Sequence, residues 1–212
     1  MMKLWLVAML VIQSVVCYII GGTTASVIAS LIGVIYVFLV TVGSKFNYIF
    51  GVANAGMVFY FAALAPVYGD MLLQGFMVLL NIIGLSIWIA QSLKGNYKST
   101  VKQLEYFSDK EWKCIFVLFV LLLGVSYVIL GDIGSVRPAI DALTFTLGMT
   151  AMYSLIRGYK YQFMFWIMSN IIQVALWISV SDYSEHAMAL GSMYIMYLLN
   201  SFVGLIVWAK KK

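Results

Sequence analysis

The amino-acid sequence predicts an all-α integral membrane protein with eight transmembrane helices. Of its 212 residues, 64% are apolar and only 10% are charged, whereas a soluble domain is about 25% charged. So few charges could not cover a surface exposed to water, which excludes a soluble enzyme, a disordered chain and a disulfide scaffold. The mean hydropathy is +1.00, and the apolar residues form long continuous runs rather than the alternating pattern of barrel strands. Helices that cross a bilayer explain both features.

A helix needs about 20 mostly apolar residues to cross the hydrocarbon core, and eight uncharged runs come close to this length. In chain order they are residues 4–20, 25–42, 48–65, 71–93, 114–130, 138–156, 161–181 and 187–209. Glycine, proline or charged residues interrupt the chain between them. The first run also resembles a short signal peptide, but the cleavage pattern near residues 21–26 is poorly formed, so we expect this helix to be retained.

The distribution of Lys and Arg predicts the orientation, because cytoplasmic loops of membrane proteins are enriched in positive side chains. With eight spans and a cytoplasmic N-terminus, the 13 Lys and Arg residues divide so that Arg137 alone lies outside. The acidic residues predicted in the outer loops are Asp70, Asp132, Asp182 and Glu185. We therefore expect a multi-pass membrane protein with both termini in the cytoplasm and no nucleic-acid partner.

Two segments of the chain resemble each other, which predicts an internal repeat. One shift aligns Asn54 with Asn170, and after a longer outer loop in the second copy Gly84-Leu85-Ser86-Ile87-Trp88 aligns with Gly204-Leu205-Ile206-Val207-Trp208. The predicted organisation is an extra N-terminal helix (1–24), a first three-helix repeat (25–93), a cytoplasmic linker with a linking helix (94–137) and a second repeat (138–212). Such parallel repeats are related by an axis along the membrane normal and are typical of transporters, with the substrate near mid-membrane between them.

The predicted spans hold amide and aromatic side chains but almost no charge. Amides both donate and accept hydrogen bonds, while aromatic rings stack on ring compounds and attract cations. This mixture favours a neutral or singly cationic aromatic solute over an inorganic ion. The candidate substrate-binding residues are Trp166, Asn170, Asn81, Asn200, Phe163, Gln74, Asn54, Gln173 and Tyr197. Hydrogen bonds between helices use the same residue types, so interhelical contacts are the alternative explanation for each amide.

No group of residues indicates catalysis, a cofactor or a metal site. The sequence has no Walker-type phosphate loop, no His-Glu-x-x-His and, within the predicted spans, no carboxylate pair at helical spacing. Cys17 and Cys114 lie in apolar runs, without the second Cys or the His that a metal site needs. Asp141, the one acidic residue within a predicted span, is expected to interact with the N-terminal dipole of its own helix. His186 is expected to be a solvated loop residue.

Several short motifs follow one another along the chain: Asn47-Tyr48-Ile49-Phe50-Gly51, Tyr68-Gly69-Asp70-Met71-Leu72-Leu73-Gln74, Asn81-Ile82-Ile83-Gly84, Asp141-Ala142-Leu143-Thr144, Trp166-x-x-x-Asn170 and Gly204-x-x-x-Trp208. In the order and spacing of these motifs the chain resembles the PnuC family of vitamin transporters over almost its whole length. The resemblance implies a SWEET-like fold of three, one and three helices with an extra N-terminal helix, assembled as a homotrimer. It also implies a bacterial cytoplasmic (inner) membrane and facilitated uptake of nicotinamide riboside down its gradient, with the vitamin trapped by cytosolic phosphorylation.

Two departures from the family pattern leave the identity of the solute open. The family's Trp-x-x-Trp-x-x-x-Asn pattern falls on Phe163, Trp166 and Asn170, so Phe replaces the first Trp, and Asn81 stands where members often have Gln. Thiamine, riboflavin or a deoxynucleoside are therefore alternative solutes. A proton-coupled carrier that uses Asp141 and a structural subunit that binds no small molecule are alternatives of other classes. We hypothesise a passive uniporter in which two three-helix bundles rock about a central site.

Overall fold

The computed structural model describes residues 2–93, 108–157 and 162–209. These residues form eight α-helices: α1 (Met2–Ile19), α2 (Thr24–Val42), α3 (Asn47–Leu64), α4 (Tyr68–Leu93), α5 (Asp109–Asp132), α6 (Pro138–Arg157), α7 (Gln162–Ser179) and α8 (Ala187–Ala209). The predicted number of helices is confirmed, and no strand occurs in the described part of the chain. The linker of residues 94–107, Lys160 and residues 210–212, whose lysines support the predicted orientation, lie outside the described residues.

Local signals explain where several helices begin and end. The hydroxyl of Thr23 accepts a backbone N–H from the first turn of α2 at 3.3 Å and so caps that helix. α2 ends at Gly43, whose φ of 75° is a left-handed conformation that glycine adopts without strain. Ser108 and Glu111 form a capping box before the apolar part of α5. This box explains why α5 begins at Asp109, earlier than its apolar run predicts.

Six of the helices form a closed ring. In this helix ring, α2 packs against α3, α3 against α4, α4 against α6, α6 against α7, α7 against α8, and α8 against α2. α1 packs on the outside against α2 and α8, while α5 packs against α6 and borders α4. Side chains that join helices on opposite sides of the ring therefore lie in its interior.

The helices that begin together define one end of the helix ring. A hydrogen bond between Thr23 and His186 joins the starts of α2 and α8, and one between Gly69 and Asp141 joins the starts of α4 and α6. We call this the Asp70 end, because Asp70 lies in the first turn of α4. In the predicted orientation it faces the outside of the cell.

Within the residues that the structure describes, seven helices contain a stretch long and apolar enough to cross a membrane. α6 contains buried hydroxyl side chains at Thr144, Thr146, Thr150 and Ser154. The hydroxyls of Thr150 and Ser154 donate to carbonyls one turn earlier in the same helix, at 2.8 and 2.9 Å. The polar face of α6 is therefore directed into the protein, between α4, α5 and α7.

Two apolar clusters hold the helices together. The larger one is near the Asp70 end and includes the fully buried side chains of Val58, Val67, Leu176, Trp177 and Leu190. The second cluster packs α1 onto the helix ring through residues such as Met9, Val34 and Met196. Elsewhere large apolar side chains are exposed, especially along α1 and α5, as is normal for surfaces that face lipid.

The prediction that His186 is a solvated loop residue is wrong. Its side chain is only 12% exposed, and its Nδ1 lies 2.9 Å from the hydroxyl of Thr23. Its ring centroid is 4.2 Å from that of Phe61. His186 therefore packs at the junction of α2, α3 and α8, where the loop before α8 is folded onto the bundle.

Two glycines allow an aromatic side chain to approach a helix closely. A Cβ atom at Gly84 in α4 would overlap the ring of Tyr48, and one at Gly204 in α8 would overlap the ring of Phe163. Tyr48 lies at the start of α3 and Phe163 at the start of α7. The same kind of contact thus occurs twice, between α3 and α4 and between α7 and α8.

Candidate functional site

A buried carboxylate joins opposite sides of the helix ring. Asp70 Oδ1 accepts hydrogen bonds from the Nε2 atoms of Gln74 at 2.9 Å and Gln173 at 3.0 Å. Its Oδ2 accepts a hydrogen bond from the indole N–H of Trp177 at 2.9 Å. Gln74 is one turn further along α4, whereas Gln173 and Trp177 belong to α7. Because α4 and α7 are not neighbours in the helix ring, the bonds from Gln173 and Trp177 cross its interior.

The predicted position of Asp70 in an outer loop is wrong, since Asp70 is fully buried within α4. The start of α4 is held by Asp141, whose carboxylate accepts the backbone N–H groups of Gly69 and Asp70, both at 2.8 Å. Asp141 also accepts a hydrogen bond from the hydroxyl of Ser135 at 2.8 Å. An acidic group at this place satisfies N–H groups that a helix leaves unpaired at its start. Asp141 thus lies in the first turn of its own helix, as expected, and in addition caps the neighbouring helix α4.

A chain of contacts leads from Asp70 toward the middle of the bundle. The amide of Gln74 also donates to the hydroxyl of Tyr194 at 3.1 Å. The rings of Tyr194 and Tyr197 meet edge to face with centroids 5.3 Å apart. The hydroxyl of Tyr197 donates to Asn54 Oδ1 at 2.7 Å. These contacts connect α4, α8 and α3 across the interior of the helix ring.

The depth of this chain of contacts follows from helix geometry. With a rise of about 1.5 Å per residue, Asn54 and Tyr197 lie about 15 Å from the Asp70 end of α3 and α8. That is about half of the hydrocarbon thickness of ~30 Å. The polar interior therefore extends from the Asp70 end to about mid-membrane.

α7 adds a face of amide and aromatic side chains at the same depth and beyond it. Asn170 is buried and donates to the hydroxyl of Ser201 in α8 at 3.1 Å. Trp166 lies one turn further from the Asp70 end and is half-buried. Phe163, also half-buried, packs beside Gly204. Asn170 thus lies on one face of α7 between Gln173 and the two aromatic side chains.

The structure does not bring every candidate residue together. Asn200 donates to Thr41 Oγ1 at 2.8 Å and accepts a hydrogen bond from the indole of Trp5 in α1 at 3.2 Å, so it faces α1 and α2 rather than the interior. Asn81 is buried and directed into the ring, where its side chain bonds to Tyr36 of α2 and its amide nitrogen donates to the carbonyl of Met77 in its own helix at 2.8 Å. The candidates connected through the interior are Gln74, Gln173, Asn54 and Tyr197, with Asn170 beside them.

Some buried polar atoms in this region have no hydrogen-bond partner among the described residues: Gln173 Oε1, Thr144 Oγ1 and Thr146 Oγ1. Within the described part of the chain, no group of His, Cys, Asp and Glu could hold a metal ion. The interior offers amide donors and acceptors, hydroxyls, aromatic rings and one carboxylate. This set suits an aromatic compound that carries its own hydrogen-bonding groups.

Sequence reasoning missed Asp70 as part of this region, because Gly69-Asp70 was interpreted as a break between helices. The spacing of Asp70 and Gln74 was the available signal, since residues four apart in a helix lie on one face. Once Gln74 is a candidate, Asp70 belongs to the same face. No comparable spacing links Asp70 to Trp177, because that contact depends on how α4 and α7 meet in space.

Comparison with known proteins finds a family model and two named relatives that agree with one another. The family model described as "Nicotinamide mononucleotide transporter" matches residues 23–210. The nicotinamide riboside transporter PnuC of Neisseria mucosa is 28% identical over 209 residues, which cover 97% of this chain and 80% of that protein. The protein of the same name from Haemophilus influenzae is 29% identical over 188 residues, which cover 87% of this chain and 79% of that protein.

A solved structure agrees with the family match. A crystal structure of the vitamin B3 transporter PnuC aligns with a TM-score of 0.79 at 25% identity, covering 99% of this chain and 90% of that chain. The chain belongs to the nicotinamide mononucleotide transporter family, a family of membrane transporters.

Proposed function

We propose that this member of the nicotinamide mononucleotide transporter family carries nicotinamide riboside across the bacterial inner membrane into the cell. The observation that supports this most strongly is the connected set of amide and aromatic side chains inside the helix ring, in a chain whose relatives are named nicotinamide riboside transporters. Nicotinamide riboside has an aromatic pyridinium ring, a carboxamide and ribose hydroxyls. Aromatic side chains can stack on the ring, while amides can bind the other two groups.

The charges near the site favour the riboside over its phosphorylated form. A phosphate group is normally bound by Arg, Lys or several backbone N–H groups. Among the described contacts of Gln74, Gln173, Asn54 and Asn170, none is to Lys or Arg. A carboxylate, Asp70, lies there instead and would repel a phosphate.

The proposed binding residues are those directed into the helix ring. Asn170, Gln173 and Trp166 would come from α7, Gln74 and Asn81 from α4, and Asn54 and Tyr197 from α3 and α8, with Phe163 at the far end. We leave Asn200 out of this set, because its amide is engaged with α1 and α2.

The proposed architecture is two parallel three-helix units, α2–α4 and α6–α8, linked by α5 in a SWEET-like order. Support comes from the helix contacts, because the pairs α2·α3, α3·α4 and α4·α6 have counterparts in α6·α7, α7·α8 and α8·α2. The glycine contacts with Tyr48 and Phe163 form a further matching pair. We propose that these units rock about the site, that both termini are cytoplasmic, and that three copies of the chain assemble as a homotrimer.

Uptake by purified protein in liposomes tests the solute. Labelled nicotinamide riboside should enter, and unlabelled nicotinamide riboside should compete more strongly than thiamine, riboflavin or a deoxynucleoside. Stronger competition by one of the other compounds would assign the protein to that solute. Absence of uptake for all four would contradict the proposed function.

The variant Asn170→Leu tests the site, and Asn200→Leu is its matched control. Both replace a buried amide by an apolar side chain of similar size. Loss of hydrogen bonds to the substrate in Asn170→Leu should weaken binding by about tenfold or more, whereas Asn200→Leu should leave the affinity unchanged even if it lowers thermal stability. Binding is measured by isothermal titration calorimetry on folded, monodisperse protein. Equal affinity loss in both variants would contradict the proposed site.

A further inference from the structure

Asp70 is a buried anion with no cationic partner among the described residues. Its side chain is fully buried, and its three partners, Gln74, Gln173 and Trp177, are all neutral donors. A carboxylate inside a membrane protein is costly and usually faces a partner of opposite charge or a functional cavity. The bonds to α7 place it in the interior of the helix ring, which solute must cross in the proposed transport.

Two other charged groups at this end, Asp141 and Arg137, are engaged elsewhere. Asp141 is bound to the N–H groups at the start of α4, where the helix dipole offsets its charge. The guanidinium of Arg137 donates to the carbonyl of Ser179 at 3.2 Å and lies over the ring of Tyr183, 5.7 Å from its centroid. Neither group neutralises the negative charge of Asp70, so the interior at this end favours a cation.

A second observation points to a ligand with N–H donors. Gln173 is 2% exposed, and its Oε1 has no hydrogen-bond partner among the described residues. Because a carboxylate only accepts hydrogen bonds, the amide nitrogen of Gln173 must face Asp70 and its oxygen must face away. A buried acceptor without a donor is destabilising unless a ligand supplies the donor.

We propose that Asp70 and Gln173 form a subsite for the positively charged pyridinium ring and its carboxamide, and that Asp70 makes the transporter selective for this charge. The carboxylate attracts the ring, and Gln173 Oε1 accepts an N–H of the carboxamide. This inference rests on the proposed function, since nicotinamide riboside carries one positive charge on its ring. Its 1,4-dihydro form has nearly the same shape and hydrogen-bonding groups but is neutral.

The test compares the affinities of these two forms by isothermal titration calorimetry. Wild-type protein should bind the cationic riboside about tenfold or more tightly than the neutral dihydroriboside. In Asp70→Asn the cationic form should lose about tenfold in affinity, while the neutral form should change by less than about twofold, so that the preference disappears. Asp182→Asn removes an exposed carboxylate at the same end and should leave the preference intact.

Three other outcomes would each contradict a different part of the proposal. Equal binding of the two forms by wild-type protein would overturn the charge selectivity, and this measurement does not depend on the folding of any variant. Equal weakening of both forms in Asp70→Asn would show that Asp70 only positions α7. Wild-type protein that binds neither form would overturn the proposed function, and the inference with it.

Discussion

At the scale of single residues, Asp141 illustrates how a polar group inside the bundle can serve a helix other than its own. In the sequence, Asp141 follows Pro138 by one turn, and only the start of α6 is visible as its partner. In the fold, its two oxygens accept the backbone N–H groups of Gly69 and Asp70. The cap also requires glycine at position 69, since a Cβ there would overlap Asp141.

Replacement of Asp141 by Asn should destabilise the protein. An amide has one acceptor oxygen where the carboxylate has two, and its NH₂ group would face a backbone N–H at the start of α4. The expected loss is about 1–3 kcal/mol of unfolding free energy, measured as a lower Tm in detergent by circular dichroism. Ser135→Ala removes only one of the three donors and should cost less.

The variant Asp141→Asn also tests the alternative of a proton-coupled carrier. If Asp141 only caps α4, residual uptake by Asp141→Asn should respond to a proton gradient no differently from uptake by the wild-type protein. An unchanged Tm would contradict the capping role. Loss of a proton dependence present in the wild-type protein would favour the proton-coupled carrier.

At the scale of helices, long apolar runs were sufficient to predict all eight elements, because a bilayer requires long helices and leaves few other options. The boundaries were less predictable where polar residues extend a helix. α5 begins earlier through the capping box of Ser108 and Glu111, and α4 begins at Tyr68 because its first N–H groups have a partner in α6. The uncharged runs leave out Tyr68 because Asp70 follows it, and Ser108 because several charged residues follow it.

The candidate site was predictable only in part, for a related reason. Spacing along one helix identified Gln74 with Asn81 and Asn170 with Trp166 as pairs on common faces. Whether a face points into the helix ring depends on its neighbours, and Asn200 illustrates this, since α1 covers its side of α8. Sequence alone had no means of distinguishing Asn200 from Tyr197, which lies three residues earlier and faces Asn54.

The glycine contact between α3 and α4 gives a prediction at this scale. In Gly84→Ala the added methyl group would overlap the ring of Tyr48, so the helices must separate or the ring must move. The expected cost is about 1–3 kcal/mol, measured as a lower Tm. Gly56→Ala is the matched control, because nothing lies within 4 Å of the added Cβ and alanine favours the helix by about 0.5–1 kcal/mol.

A second variant shows whether the lower Tm comes from this contact. If the overlap with Tyr48 is the cause, the double variant Gly84→Ala/Tyr48→Ala should lose less stability than the two single variants added together. Strict additivity, or an equal loss of stability in Gly56→Ala, would contradict the role assigned to Gly84.

At the scale of the whole molecule, hydrogen bonds cross the interior of the helix ring from the Asp70 end to about mid-membrane. Asp70 with Trp177, Gln74 with Tyr194 and Tyr197 with Asn54 join helices that are not neighbours in the ring. Deeper in the bundle, Asn170 bonds to the adjacent α8, and Asn81 bonds to its own helix and to Tyr36 of α2. Rocking of the two proposed units against each other would therefore have to break the bonds that join α4 to α7, α4 to α8 and α3 to α8.

The proposed mechanism supplies no energy, and this leads to a prediction for the complete transporter. In liposomes without ATP or an ion gradient, labelled nicotinamide riboside should enter only until the inside and outside concentrations are equal. Unlabelled riboside loaded inside should accelerate entry of the label, because the loaded site returns in exchange. A kinase and ATP enclosed in the liposomes should drive accumulation far beyond equality, since the phosphorylated product does not fit a site that contains Asp70. Accumulation above the outside concentration without the kinase would contradict passive transport, as would uptake that requires a proton gradient.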